Sequence, residues 1–335
     1  MHFGSFFRLA MRFRTEIEDI RLKTKIDYTT KIFAVGSCFA QNMTEKMISA
    51  KLSASFSPVG ILFNPLSIAQ ALKSFALRTP ADSSRITMRG EEWVSLDCHS
   101  ALARASESEA MDAINYAILE GHRLLHDAQV VIITFGTAWA YEHIATKKVV
   151  ANCHKLPQKE FLRRKLSIEE ICDSFKPLFE DILKDKQVIF TLSPVRHVAD
   201  SLAENSLSKS LLRVAIAELC TLYPQAEYFP AFEIVTDDLR DYRFYTEDMV
   251  HPTAQAIEYI WEKFSAATFS AKALDVASRI EKIRAAAAHR PFNPSSQEYA
   301  VFCQKYLAEI ERLPEVDFSG EKAIFEKFAN KFVQQ

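Results

Sequence analysis

Short apolar runs alternate with segments of helix-spaced apolar residues along the first 270 residues. The run Ile32–Val35 leads into Gly36, and the segment after it keeps helical spacing to about Leu52. Further strands are predicted over 55–60, 129–136, 187–193 and 226–230. Further helices are predicted over 65–77, 107–128, 167–185, 206–222 and 253–267. This alternation predicts a three-layer α/β/α domain with a five-stranded parallel sheet, whose surest central strand is the fully apolar run 129–136.

Other segments depart from this alternation. Residues 79–106 contain Pro80, Gly90 and a polar stretch, and we interpret them as an insertion that could cover a site. Residues 139–150 alternate loosely and predict a hairpin, which is followed by a predicted loop over 152–157. Beyond residue 269 the pattern is helical to about residue 289 and again to about residue 313.

The segment Ser167–Glu170 has the spacing of a capping box. We expect the Ser167 hydroxyl to accept a hydrogen bond from the backbone N–H of Glu170. We also expect the Glu170 carboxylate to reach back to the backbone N–H of Ser167. Together these contacts would begin the helix that follows.

Composition narrows the class of protein. The 335 residues are 48% hydrophobic, and 41 basic against 43 acidic residues give a formal charge of −2. We find no cluster of lysine and arginine, which argues against a nucleic-acid partner. No apolar run reaches the roughly 20 residues that would span a membrane. The chain therefore has enough apolar residues for a large core without the signs of a nucleic-acid-binding or membrane protein.

The six cysteines have no CxxC pairs or regular spacing. This favours free thiols in a reducing compartment, and we expect a cytoplasmic protein. Residues 1–10 resemble a short signal peptide superficially, but Arg8 and Arg12 break the pattern and no cleavage site follows. Met11 is an equally good start, so secretion is not expected.

The turn after the first strand holds two potential nucleophiles, Ser37 and Cys38. A strand-to-helix turn lies at the carboxyl end of a parallel sheet, where the unpaired N–H groups and dipole of the helix stabilise an anion. The alternative is a turn of small residues that only lets the helix and the strand pack closely.

A second candidate site lies just before the helix 253–267. Asp248 stands three residues before His251, so its carboxylate can hold one ring nitrogen as a donor and leave the other free as a base. The alternative is an ordinary helix N-terminus, with Asp248 near the cap and His251 exposed.

Six segments together resemble the GSCFA domain family, a bacterial branch grouped with the SGNH hydrolases. They are Gly36–Ala40, Phe63–Pro65, Thr134–Trp139, Asn152–Lys155, Ser193–His197 and Asp248–Pro252. The resemblance covers residues 11–270 and implies a flavodoxin-like, SGNH-type domain. Residues 271–335 would then form a helical C-terminal extension packed on or beside it.

The resemblance also implies roles for individual residues. When the glycine of the SGNH motif Gly-Asp-Ser-Leu is matched to Gly36, Ser37 occupies the aspartate position and Cys38 the nucleophile position. Ser37 remains open as the nucleophile if the turn is shifted by one residue. His251 would be the base and Asp248 its orienting partner. For Cys38 we expect the helix N-terminus to lower the thiol pKa.

The oxyanion hole departs from the SGNH pattern. Gly60 and the amide of residue 38 fit two donors, but Ala138 stands where the third donor, an asparagine, belongs. Candidates to replace it are Asn64, Asn152 and, less well matched, Thr137; the alternative for the asparagines is a turn or a helix cap. Loss of one such donor typically costs about 10² to 10³ in rate.

Other polar residues have less specific patterns. His197, with Arg196, and Glu233 follow predicted strands and could contact a substrate, or could only hydrogen-bond loops. Two histidines on one predicted helix (122 and 126) lack the glutamate of a zinc protease, and two Cys-His pairs (98–99 and 153–154) lack a second ligand pair. No metal site is predicted.

The resemblance implies an esterase or acyltransferase. Its substrate would be an acyl ester, with O-acetyl esters among the candidates, of a glycan or a small molecule. No cofactor is needed, although a transferase would use an acyl donor such as acyl-CoA. One alternative is a glycan- or anion-binding module that keeps the scaffold without turnover, and another is an interaction scaffold that uses the helical tail.

Overall fold

Ten strands and ten helices make up the fold in a computed structural model that describes residues 14–329. The strands are β1 (Ile32–Gly36), β2 (Ala54–Phe56), β3 (Ile86–Arg89), β4 (Glu92–Ser95), β5 (Val130–Phe135), β6 (Trp139–His143), β7 (Lys148–Val150), β8 (Phe161–Lys165), β9 (Gln187–Leu192) and β10 (Ala226–Phe229). The helices are α1 (Cys38–Ser49), α2 (Pro65–Leu77), α3 (Glu107–Asp127), α4 (Ile168–Glu180), α5 (Leu202–Leu222), α6 (Ala231–Glu233, extended by a π-helical stretch Ile234–Leu239), α7 (Ala254–Thr268), α8 (Ala271–Ala288), α9 (Gln297–Glu311) and α10 (Ser319–Ala329). The signal-like segment 1–10 and the start at Met11 lie outside the described residues.

The central sheet has five strands in the order β2-β1-β5-β9-β10, and every neighbouring pair is parallel. This confirms the predicted fold class. The order reverses between β1 and β5, and such a reversal opens a crevice at the carboxyl ends of the strands. β2 ends at Phe56, earlier than predicted, because Gly60 donates its backbone N–H to Ser57 O at 3.0 Å and closes a turn.

Side chains of the central strands alternate between two buried clusters. In β5, Val130 and Ile132 pack with residues of α1, α6 and α7, whereas Val131 and Ile133 pack with residues of α2, α3, α4 and α5. Side chains of α8, α9 and α10 belong to the first cluster, for example Ile280, Cys303 and Phe325. Helices therefore cover both faces, and the C-terminal helices enlarge the core on the α1 side.

Two small antiparallel sheets flank this core. β3 and β4 form a hairpin within the insertion 79–106, and His99 of the insertion donates its backbone N–H to Val59 O at 2.9 Å. The predicted hairpin 139–150 is present as β6 and β7, but β8 adds a third strand that the sequence analysis did not predict.

The capping box at Ser167 is present, and an arginine shares its carboxylate. The Ser167 hydroxyl accepts from the backbone N–H of Glu170 at 3.1 Å, as expected. The Glu170 carboxylate accepts from Arg164 on β8 at 2.6 and 2.8 Å. The backbone N–H of Ser167 also acts on this carboxylate and, after Arg164, helps to lower the pKa of Glu170, as the capping box predicts. A charge-assisted pair with arginine is stronger than a bond to one backbone N–H.

All six cysteines are free, as expected. Among residues 14–329, none of the helices has both the length and the apolar composition that crossing a bilayer requires.

Gly36 lets β1 approach β5 closely where the two strands end. Its φ is +135°, and a Cβ at this position would lie 2.2 Å from Thr134 O. Gly90 also has a positive φ, of +62°, but nothing lies within 4 Å of a Cβ built there. An alanine at Gly36 would therefore have both an unfavourable φ and a steric overlap, whereas an alanine at Gly90 would have only the unfavourable φ.

We predict that Gly36→Ala lowers the free energy of unfolding by about 2 to 5 kcal/mol, because it adds overpacking to an unfavourable φ. Gly90→Ala, the matched control, should cost about 1 to 2 kcal/mol from the backbone alone. Urea unfolding of both variants measures the difference. Equal losses would show that β1 and β5 do not need this close approach.

Candidate functional site

The turn that joins β1 to α1 lies at the carboxyl edge of the sheet. Ser37 donates its backbone N–H to Thr134 O at 3.3 Å, which ties the turn to β5. The Ser37 side chain is only 1% exposed, and within the described part of the chain its hydroxyl has no hydrogen-bond partner. The serine therefore points into the protein and not into open space.

Cys38 is half-buried and is the first residue of α1. Burial raises the pKa of its thiol, while the backbone N–H groups of Phe39 and Cys38 and the charge of Lys209 lower it; the net shift is upward. The expected lowering of the thiol pKa is therefore wrong, because desolvation outweighs the helix N-terminus. The thiol needs a base, or a stronger counter-charge, to react as thiolate at neutral pH.

Asp248 and His251 form a close pair in the loop before α7. Oδ2 of Asp248 lies 2.7 Å from Nδ1 of His251, and both side chains are about half exposed. Oδ1 accepts from the Thr246 hydroxyl and from the backbone N–H groups of Val250 and His251, at 2.6, 2.8 and 3.0 Å. These contacts, that of Thr246 first, hold the pKa of Asp248 well below its usual range. The pair leaves Nε2 of His251 free to take a proton.

The loop after β9 holds this pair at the carboxyl edge of the sheet. Arg196 donates its backbone N–H to Val250 O at 3.1 Å, one residue before His251. The Arg196 guanidinium lies over the rings of Tyr245 and Tyr242, 4.1 and 5.1 Å from their centroids. Arg196 therefore anchors the loop of the histidine.

His197 lies between the two parts of the site. Burial, and then the charges of Lys209 and His251, lower its pKa to about 4. Its ring packs edge-on against Phe63 at 5.9 Å, and its backbone N–H donates to Asn205 Oδ1 at 2.9 Å. His197 is therefore neutral at pH 7 and able to donate or accept a hydrogen bond.

Lys209, on α5, is a member of the site that the sequence analysis missed. Its side chain is buried, and Nζ donates to Gly136 O and Ser193 O, both at 2.7 Å. Burial lowers the pKa of Lys209 to about 7, and Cys38 opposes this. The sequence held a signal, since Leu212 and Ile216 repeat at helical spacing from Lys209 and place it on the buried face of α5.

Most residues considered for the oxyanion hole have other partners. Gly60 uses its N–H in the turn with Ser57. Asn64 caps α2: its Oδ1 accepts from Ser67 N–H at 2.9 Å, and its Nδ2 donates to Ser67 Oγ and Val150 O at 2.9 and 3.3 Å. Both N–H bonds of Asn64 are therefore in use.

Thr137 and Asn152 are engaged in a similar way. Thr137 Oγ1 accepts from Trp139 N–H at 3.1 Å and lies 3.2 Å from Ser208 Oγ. Asn152 Oδ1 accepts from His154 N–H at 2.8 Å, and its Nδ2 makes only a long contact of 3.5 Å with Ser100 Oγ. Of the four candidates, Asn152 has the least committed N–H groups.

The remaining polar candidates have structural contacts. Glu233 accepts from the Tyr228 hydroxyl at 2.6 Å and from Arg213 at 3.3 Å. His122 Nδ1 lies 2.9 Å from Phe75 O, and the buried His154 lies 2.7 Å from Ser95 O. Glu233 therefore makes hydrogen bonds within the protein, which is the alternative to a substrate contact. The two histidines contact backbone carbonyls of the protein.

Cys38 and His251 thus belong to the same edge of the sheet. Within residues 14–329, no hydrogen bond joins the Cys38 thiol to the His251 ring. Charge effects link them in steps, from Cys38 to Lys209, from Lys209 to His197, and from His197 to His251. Catalytic hydrogen bonds are often long before a substrate binds.

A cavity of about 600 Å³ lies elsewhere, on the α2 side of the sheet. The insertion, α2, α3, α4 and the β6–β8 region contribute to its wall, which includes Arg85 and Asp97. The Arg85 guanidinium donates hydrogen bonds to Asp97, to the Thr146 hydroxyl and to the backbone carbonyl of Val149. The wall contains no histidine and no residue of the carboxyl-edge site.

Comparisons with known proteins agree with the sequence resemblance. The model of the GSCFA family matches residues 31–264, and the model of the C-terminal domain of GSCFA domain proteins matches residues 280–331. A search of curated proteins finds no match.

Among solved structures, the chain is similar to one from Streptococcus pneumonia described as a candidate platelet activating factor, with 11% identity and a TM-score of 0.35. The match covers 70% of this chain and 83% of the other. This similarity is too low to support an inference about function, and the relationship with SGNH hydrolases stays a prediction. The family match spans most of the residues that build the sheet and its carboxyl edge, and the chain belongs to the GSCFA family.

Proposed function

We propose that the protein is an enzyme that hydrolyses or transfers acyl groups of esters. Cys38 is its nucleophile, His251 its base, and Asp248 the residue that orients His251. The observation that carries the proposal is the 2.7 Å contact of Asp248 with His251 on the edge that also bears Cys38. A histidine held by a carboxylate, with its second nitrogen free, is what an acyl-transfer nucleophile needs.

Exposure favours Cys38 over Ser37 as the nucleophile. The Ser37 hydroxyl is buried without a partner, whereas Cys38 is partly accessible at the first turn of α1. The register of the SGNH motif also favours Cys38. The N–H groups of α1 that act on its sulfur would also face a charged oxygen on a bound acyl group.

The reaction proceeds in two halves. The Cys38 sulfur attacks the carbonyl carbon while its proton passes to His251 Nε2; the new C–S bond forms and the C=O electron pair moves to oxygen. Collapse of this intermediate re-forms C=O and breaks the ester C–O bond, and the leaving oxygen takes the proton from His251. Water or an acceptor hydroxyl then gives a proton to His251 and attacks the thioester, and the departing sulfur takes that proton back.

The substrate class follows from the resemblance. We propose acyl esters of a glycan or a small molecule, with O-acetyl esters among them. A transferase would take its acyl group from a donor such as acyl-CoA, and no step requires a cofactor. The six free cysteines are consistent with a protein that acts in the cytoplasm.

A second candidate function is a glycan- or anion-binding module without turnover. The observation that favours it is the state of the oxyanion hole. The Gly60 N–H donates to Ser57 O, and Ala138, in the asparagine position, donates its own N–H to Ser208 Oγ at 2.7 Å. Two of the expected donors are therefore lacking, because the Gly60 N–H is engaged and Ala138 has no side-chain donor in place of the asparagine amide.

For the enzyme, we predict that Cys38→Ala lowers kcat/KM on a panel of acetyl and longer acyl esters by about 10³-fold or more. His251→Ala should lower it by about 10² to 10⁴-fold, because the base is lost. Matched controls are Cys172→Ala, a partly buried cysteine on α4, and His126→Ala, an exposed histidine 3.6 Å from Asp127. Both controls should keep wild-type rates. Wild-type turnover in Cys38→Ala would rule out the thiol mechanism.

Trapping separates the enzyme from the binding module. We predict that p-nitrophenyl acetate adds one acyl group at Cys38, and that neutral hydroxylamine removes it, because the product is a thioester. Intact-mass and peptide mass spectrometry locate the adduct, and His251→Ala should form it much more slowly. Reversible binding of an acetylated oligosaccharide by calorimetry, with no adduct in the wild type, would favour the binding module.

A further inference from the structure

Lys209 is a buried lysine without a carboxylate partner. It is 2% exposed, and no ion pair to it occurs among residues 14–329. An uncompensated ammonium in the interior is costly, and such groups cluster at functional sites. The burial of this ammonium therefore points to a functional role and not only to packing.

The two carbonyl oxygens that hold Lys209 fix its position. Gly136 directly follows β5, and Ser193 directly follows β9, so Nζ lies across the carboxyl ends of two neighbouring strands. An ammonium has three N–H bonds. In the described part of the chain the third one has no acceptor within hydrogen-bond distance, and the ring of Phe232 lies 5.8 Å from Nζ. A ligand oxygen could accept this third N–H.

The groups whose charges interact with Lys209 come from two elements. Cys38 faces it from α1, and His197 faces it from the loop after β9, with His251 acting on His197 from the loop before α7. Of these, only Cys38 can become an anion. The charge of Lys209 can therefore be compensated locally by the sulfur, or by an oxygen of a molecule bound beside it.

We propose that Lys209 is the counter-charge of the site, which stabilises the negative charge that forms at Cys38 and then on the substrate oxygen. This inference rests on the proposed acyl-transfer function for its second part. Lys209 would take the role that the sequence leaves open at Ala138. A fixed charge in a water-poor site stabilises an oxyanion more strongly than a charge in water does.

The step balances without another reactant. As the Cys38 sulfur bonds to the acyl carbon, the C=O electron pair moves to oxygen, and this oxyanion accepts the third N–H of Lys209. When the pair returns to re-form C=O, the C–O bond of the leaving alcohol breaks and His251 gives its proton to that oxygen. Lys209 keeps its proton throughout.

The chain offers a matched control lysine at the opposite edge of the sheet. Lys186 also donates to two backbone oxygens, His126 O at 3.0 Å and Ala128 O at 2.7 Å, and it directly precedes β9. Lys186→Met therefore removes a similar pair of hydrogen bonds far from Cys38. Comparison with Lys209→Met separates the charge from the loss of such contacts.

The test is the rate of carboxamidomethylation of Cys38 by iodoacetamide between pH 6 and 9, followed by peptide mass spectrometry. Lys209 is protonated below pH 7 and loses its charge above it. Below pH 7 its charge favours the thiolate, so Lys209→Met should react about 10-fold more slowly at pH 6. At pH 9, where the amine is neutral, the two rates should agree within about twofold. Lys186→Met should match the wild type at both pH values.

A structural effect of the substitution would slow the reaction at both pH values alike, and an equal ratio at pH 6 and pH 9 would overturn the proposal. The wild type gives a second test that needs no change at Lys209. Its pH–rate profile for Cys38 should level off near pH 7, and the profile of Cys172 in the same samples should not. The levelling should persist in His251→Ala; a single slope for Cys38 would equally overturn the proposal.

Ester turnover distinguishes this inference from the proposed function. With an ester substrate, Lys209→Met should lower kcat by about 10² to 10³-fold. If turnover depends on Cys38 and His251 but not on Lys209, this inference fails alone. If the wild type has no turnover and the alkylation rates behave as expected, acyl transfer fails and the Lys209–Cys38 charge coupling stands.

Discussion

The parallel alignment of β1, β5 and β9 is the constraint on which the site depends. Gly36, Thr134 and Thr191 lie side by side in the register of these strands, so the turn of Cys38, the Gly136 carbonyl and the Ser193 carbonyl all fall on one edge. Gly36 permits the close approach of β1 and β5. The chemistry proposed here needs no moving part to bring these backbone groups together, because strand pairing already does so.

Burial sets the charges at this edge. It is the first cause of the raised pKa of Cys38 and of the lowered pKa values of His197 and Lys209. Three groups are thus shifted towards their neutral forms, while the exposed Asp248 stays ionised. A site of this kind holds little charge at rest, and a negative charge formed during reaction would find an ammonium and helix N–H groups close by. This arrangement favours a developing anion over a permanently bound one.

Local sequence patterns predict most of the fold. The apolar run 129–136, the serine cap at Ser167 and the strand–helix alternation depend on neighbours in sequence, and the sheet follows from them. The motif Asp248–His251 could also be recognised from the sequence, because the carboxylate stands only three positions before the ring that it contacts. Side-chain contacts between elements that are distant in the sequence could not be predicted from these patterns. Lys209 binds a carbonyl 73 positions away, and Glu170 gains a second partner, Arg164, on a strand that the local pattern did not reveal. The burial that raises the Cys38 pKa likewise depends on packing, which spacing alone does not report.

We propose that Cys38 and His251 act as one unit at this edge, and a double-mutant cycle in kcat/KM is the sharpest test of this. Residues that act as a unit are strongly non-additive. We predict that Cys38→Ala combined with His251→Ala loses no more activity than the more damaging single variant. Losses that multiply in the double variant would show that the two residues act independently and would overturn the proposed mechanism.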